Sequence, residues 1–113
     1  MPTLFSRIAA GEIPATIVAR TSDCIAIEDI NPQAPVHVLI VPLKEIPSVN
    51  SLAAEDEALV GKMVLLAKGI AAQRGLQEGG YRLVFNCGPD AGQTVDHLHL
   101  HLLGGRSFGW PPG

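Results

Sequence analysis

The sequence predicts an α+β domain: a mainly antiparallel sheet of about five strands carrying one short and one long helix. Three observations predict it. Residues 52–74 hold the apolar spacing of a single long helix, whereas the other apolar runs are short, rich in β-branched residues and bounded by glycine, proline or aspartate. The order along the chain is short helix, three strands, long helix, two strands, which is not the alternation a parallel sheet needs. No repeat, low-complexity tract or linker interrupts the 113 residues, so one domain is expected over 1–113.

Phe5, Ile8 and Ala9 have helical spacing and stop at Gly11, which predicts the short N-terminal helix. Residues 15–20 and 24–28 are β-prone and flank Thr21-Ser22-Asp23, the turn of a hairpin. The segment 29–35 holds two prolines, which remove donors and restrict their neighbours, so it is an ordered loop. Residues 36–41 are apolar apart from His37 and read as a central strand covered on both faces, ended by Pro42. In the long helix Leu59, Val60, Met63, Val64, Ala67, Ile70 and Ala71 form one broad apolar face. Ser51 is its expected N-cap, Glu55, Asp56 and Glu57 suit the positive end of its dipole, and Gly75 is its stop. Residues 81–86 and 95–103 are the last two strands, joined by Gly88-Pro89-Asp90-Ala91-Gly92, and the tail from Gly104 is irregular.

Composition narrows the function. The chain is 47% hydrophobic and 17% charged, few charges for the roughly 6,000 Å² that a monomer of this size exposes, so part of the surface is expected to lie against a partner. One helix on a five-stranded sheet leaves an edge or face free, and a homodimer is the expected solution. Charged residues, glycine or proline break every apolar stretch short of the ~18 residues a membrane span needs, and the N-terminus has no secretory pattern, so the cytoplasm is the expected compartment. A net charge of −3 without any basic run argues against long nucleic acid as a partner. Cys24 and Cys87 form no paired motif and predict neither a disulfide framework nor a thiolate metal site.

The chemistry concentrates in His97-Leu98-His99-Leu100-His101. Alternation on a strand puts the three imidazoles on one face and the leucines on the other, with only the leucine face expected to be core. At ~3.3 Å per residue His97 and His101 start about 13 Å apart, too far to share one zinc ion, so a metal site would need two of them plus His37. The other chemistry is nucleophilic: a neutral imidazole nitrogen attacks phosphorus and later leaves, while neighbouring imidazoles move protons and hold the tautomer. The glycine-rich loop 88–94, with Asn86, Gln93 and Thr94, supplies backbone N–H groups, amides and a hydroxyl that can cradle an anion.

These residues resemble the histidine triad family, whose motif is His-x-His-x-His followed by two apolar residues, matched here from His97 to Leu103 without departure. The resemblance is closer to its nucleotide-binding branch, the purine nucleoside phosphoramidases, and runs along nearly the whole chain. The matching stretches are 5–8, 12–15, 29–37, 92–95, 103–106 and Trp110-Pro111-Pro112-Gly113. The resemblance implies hydrolysis of the P–N bond of adenosine or guanosine 5′-monophosphoramidates through a nucleotidylated histidine, with no metal and no cofactor. It makes His99 the nucleophile, gives His101 the phosphate and the leaving group, and makes His97 and His37 their support. It places Asn86, Gly92, Gln93, Thr94 and Val95 around the phosphate and leaving group, Asp29 on the ribose hydroxyls, and Phe5, Ile8, Ile27 and Ile30 on the purine. It also implies a dimer of continuous sheet, joined through strand 81–86 and the long helix, with Trp110 of the tail reaching the partner's site. Ile27 replaces a frequent aromatic, Thr94 a frequent serine, and Asp96 an aromatic or histidine. The transferase branch carries glutamine at the third histidine, so His101 favours hydrolysis. A dinucleoside polyphosphate hydrolase and a non-enzymatic nucleotide-binding scaffold are the alternative functions.

Overall fold

The computed structural model describes residues 2–113. The helix α1 (Leu4–Ala9) begins at Thr3, whose hydroxyl accepts from the Ser6 N–H, and ends before Gly11, which takes φ +80°. The strands β1 (Ile17–Arg20), β2 (Cys24–Glu28), β3 (Val36–Pro42), β4 (Tyr81–Phe85) and β5 (Leu100–Gly104) form one antiparallel sheet in the order β1-β2-β3-β5-β4. The helix α2 (Glu57–Gln73) lies in the chain between β3 and β4. The predicted fold class, the five strands and the two helices all stand.

The sheet is covered on both faces, and period-two alternation decides which residue goes where. One face carries Ala26, Val38, Ile40, Leu98, Leu100 and Leu102 against Met63, Ala67, Ile70 and Ala71 of α2. The other carries Ile25, Ile27, Leu39 and Val41 against Phe5 and Ile8 of α1. The histidine face is therefore also core, contrary to the expectation that only the leucine face would be, because α1 folds over it.

Two boundaries and the width of one helix face differ most from those expected, beside β1, which starts at Ile17 and not at residue 15. The last strand starts at Leu100 and not at 95. β3 ends at Pro42, which lacks an N–H, and the chain beyond β4 turns away at Gly88 with φ +85°, so residues before Leu100 find no ladder on either side. Leu98 instead donates its N–H to the Ile46 carbonyl at 2.6 Å. The long helix starts at Glu57 and not at 52, so Ser51 is not its N-cap. Short 3₁₀ turns at Val49–Ser51 and Ala54–Asp56 precede it, and the buried Asp56 carboxylate ties them down by accepting from the Ala53 N–H at 2.9 Å and the Lys44 Nζ at 2.6 Å. Finally, the buried stripe of α2 is narrower than expected: Val64 is 38% exposed, and its neighbour Leu65 is 64% exposed. Gly75 ends α2 as expected, with φ +71°.

Candidate functional site

Above the α1 side of the sheet lies a cavity of about 330 Å³. Of the residues singled out in the sequence, Phe5, Ile8, Ile27, Asp29, Ile30, Thr94, Val95, His99 and His101 all line it. β3 and β5 are adjacent with Leu39 opposite His101, which brings His37 and His101 to the same face of neighbouring strands. Phe5, Ile8 and Ile27 are buried in its floor and belong to the core cluster there, so packing and lining are one role for them. Ile30, by contrast, is 98% exposed at the rim.

Six candidates do not line the cavity. His97 lies behind Phe5, whose ring meets it edge-on at 5.7 Å, and His37 lies behind His101. Gln93 spends its amide on the loop, donating to the Pro47 and Val95 carbonyls while its Oε1 accepts from the Gly88 N–H. Asn86 and Gly92 flank that loop, and Gly92 closes its 3₁₀ turn with φ +81°. Trp110 is 85% exposed on the tail and meets no part of the cavity. Six further residues complete the wall: Leu4, Ile13, Pro14, Ala15, Glu28 and Leu39. Leu39 carried a usable signal, since it stands two residues after His37 on one strand face; the 13–15 wall comes from an irregular segment with no periodicity to read.

Hydrogen-bond polarity assigns a tautomer to each imidazole, because several partners can only donate or only accept. His99 Nδ1 lies 2.7 Å from the His97 carbonyl, so Nδ1–H donates and Nε2 keeps its lone pair. His37 Nδ1 accepts from the Gln33 N–H at 3.0 Å, which puts its proton on Nε2, and Nε2–H donates to His101 Nδ1 at 2.9 Å. The neutral His101 ring then carries its proton on Nε2. The His99 and His101 rings lie side by side with centroids 5.0 Å apart, one offering a lone pair and the other a proton.

Burial dominates the electrostatics. It pushes His101 down to about 4, with repulsion from His99 and His37 adding to it and Asp29 opposing. Burial likewise lowers His37, against the pull of Asp29 and Glu28, and lowers His97, against its bond to the Pro42 carbonyl. These three rings are neutral near pH 7. Asp29 has two tasks: Oδ1 accepts from the Asn31 N–H at 2.8 Å and shapes the turn, while Oδ2 lies 3.4 Å from His37 Nε2.

Asp29, His37 and His101 each place one potential metal-binding atom within 4.8 Å of the others, a spacing suited to a metal ion. The donor set does not fit. A metal-bound imidazole donates its second N–H outward, but the second nitrogen of His37 faces the Gln33 N–H and must accept. The cluster is instead joined by the bond from His37 Nε2–H to His101 Nδ1, with Asp29 Oδ2 3.4 Å from the same nitrogen.

A sheet face that presents paired imidazoles of opposite polarity beneath an apolar cavity can supply a nucleophile beside a proton donor. The HIT domain profile matches residues 10–108, and the chain belongs to the HIT family. It is 53% identical over 111 residues to an uncharacterized HIT-like protein of Synechocystis sp., covering 98% of this chain and 96% of that one. Its structure is similar to that of a HIT family hydrolase from Legionella pneumophila Philadelphia 1, with a TM-score of 0.95, 51% identity and coverage of 97% and 98% of the two chains. A histidine triad nucleotide-binding protein from Candida albicans matches with a TM-score of 0.82 at 29% identity, covering 96% of this chain and 82% of that one.

Proposed function

We propose that the protein is a purine nucleoside phosphoramidase that cleaves the P–N bond of adenosine or guanosine 5′-monophosphoramidates and also binds AMP and GMP. The observation that carries this is the polarity of the pair: a free Nε2 on His99 beside an Nε2–H on His101 in one cavity. His99 Nε2 attacks phosphorus, and the P–N bond breaks as the leaving nitrogen takes up a proton. The phosphate's negative charge favours the protonated His101 ring, which gives its Nε2 proton to that nitrogen and returns to the neutral imidazole. Water then displaces His99 from phosphorus, releasing the nucleotide and restoring the imidazole.

The surrounding residues suit the remainder of a nucleotide. Phe5, Ile8, Ile27 and Ile30 offer an apolar slot to a flat base, and the Asp29 carboxylate accepts from ribose hydroxyls. Thr94, Asn86 and the 92–95 backbone serve the phosphate and leaving group, and His97 and His37 support the pair. The hydrolase and nucleotide-binding descriptions of the Legionella and Candida relatives support the same reading. The test is to incubate the protein with an adenosine phosphoramidate. The expected result is AMP release and an acid-quenched AMP adduct on His99, with His99→Ala slower by at least roughly 10³-fold. Faster turnover of dinucleoside polyphosphates than of P–N substrates would move the assignment to P–O–P hydrolysis, and neither turnover nor adduct would defeat the enzyme reading.

The functional unit is proposed to be a homodimer. The strand β4 is an outer edge of the sheet, and α2 leaves Leu65 and Val64 exposed with Gly61 and Gly69, at both of which an added Cβ meets nothing within 4 Å. An unpaired edge and an apolar, glycine-flattened helix face are what a second copy covers. The exposed Trp110 then belongs to the partner's cavity.

A further inference from the structure

Of the two imidazoles that do not line the cavity, His97 is the more deeply buried. His97 is 1% exposed, and both ring nitrogens are engaged: Nε2–H donates to the Pro42 carbonyl at 2.8 Å, and Nδ1 accepts from the Thr3 hydroxyl at 2.6 Å. We propose that Thr3, outside the histidine motif and outside the cavity, is a positioning residue for the attacking His99.

The proton count requires it. A carbonyl only accepts, so His97 Nε2 must carry the ring's proton and Nδ1 must receive one. The Thr3 hydroxyl has a single proton to give. Its oxygen accepts from the Ser6 N–H at 3.0 Å, and of the two acceptors within reach of that proton, Ser6 Oγ at 3.2 Å and His97 Nδ1 at 2.6 Å, the closer His97 takes it. The Ser6 hydroxyl directs its own proton to Glu45 Oε1 at 2.6 Å, and the same carboxylate oxygen accepts from the Thr3 N–H at 3.1 Å. These two bonds hold Glu45 below the usual carboxylate range and tie the first turn of α1 to the loop after β3. With its ring anchored at both ends, His97 presents its own carbonyl to His99 Nδ1, the bond that keeps the His99 lone pair on Nε2. Phe5, two residues after Thr3 on the same helix turn, packs edge-on against both rings at 5.7 and 5.0 Å. One hydroxyl therefore sets the ring on which the nucleophile's tautomer depends, and it also seats the helix that walls the cavity.

The kinetic part of this inference rests on His99 being the nucleophile; the spectroscopic part does not. In the wild-type protein without substrate, ¹⁵N spectra are expected to show His97 as a single Nε2–H tautomer, with its Nδ1 hydrogen-bonded to a slowly exchanging hydroxyl proton. Thr3→Val keeps the branched shape and removes the donor. It is expected to alter the His97 Nδ1 resonance and to lower kcat about tenfold with KM changed by less than about threefold. Thr3→Ser is expected to restore both. Ser6→Ala, which loosens the Glu45 clasp and keeps the Thr3 hydroxyl, is expected to hold kcat within about twofold. A His97 spectrum unchanged in Thr3→Val, no rescue by serine, or an equal kcat loss in Ser6→Ala would overturn the proposal. If Thr3→Val does not fold, the wild-type spectrum decides alone, since a mixed or Nδ1–H tautomer of His97 also overturns it. A wild-type protein without phosphoramidate turnover would defeat the functional reading and leave the spectroscopic result to judge Thr3.

Discussion

His37 shows how much a single backbone contact decides. The Gln33 N–H bonded to its Nδ1 sets its tautomer, then the tautomer of His101, and so the group that faces the cavity. Burial adds a second consequence. His37, His97 and His101 all sit below the ordinary imidazole value of 6.5, and His101 falls to about 4. The unfolded chain therefore binds these protons first as pH falls. Their contribution to stability is full above about pH 6.5 and is lost progressively down toward pH 4. Denaturant midpoints are expected to drop between pH 7 and pH 4.5, and a flat profile would contradict the neutral, buried assignment of these rings. Only part of this was legible in the sequence. Three histidines at period two on an apolar strand announce a site, but the proton positions depend on Pro42, Gln33 and Thr3, which no spacing rule connects to them.

Elements were read best where periodicity is long and worst at their ends. The spacing of Met63, Ala67, Ile70 and Ala71 identifies α2, yet its start was displaced by five residues because Asp56 caps backward and not forward. Its carboxylate holds Ala53 and Lys44 from a 4% exposed position, and both partners keep it below the usual carboxylate range. Asp56→Ala is expected to lower the urea midpoint with unchanged slope. The late start of β5 has the same kind of cause. Alternation runs on from His97 to Leu102, but a strand needs neighbours, and Pro42 and Gly88 withdraw them. A second glycine, Gly105, shows a backbone requirement invisible to periodicity: it takes φ +90°, and an added Cβ would lie 2.9 Å from the Pro35 ring.

For the molecule as a whole, surface is the telling quantity. The chain exposes 6734 Å², more than the roughly 6,000 Å² expected for its mass, and Leu65 and Trp110 are among the exposed residues. Among the described residues no helix is long and apolar enough to cross a membrane. A second copy is the occupant proposed for that surface. Light scattering at micromolar concentration is expected to give twice the chain mass, and Leu65→Glu to return it to one chain mass with unchanged circular dichroism. A monomeric wild type would remove the dimer and with it the role of Trp110.

While most residues of the cavity wall were named through the resemblance to the histidine triad family, composition, period and order determined by themselves the fold class, the five strands and the histidine face. They did so because burial and alternation are local properties that each residue carries along the chain. Tertiary structure alone decided which face of the sheet α1 closes, where β5 and α2 begin, and which nitrogen of each imidazole holds a proton. Several of these depend on a hydrogen-bond partner far along the chain, such as Thr3 for His97 or His37 for His101, and others on a nearby group placed by the fold, such as Gln33 for His37. Such a partner is chosen by packing, after the local pattern has been spent.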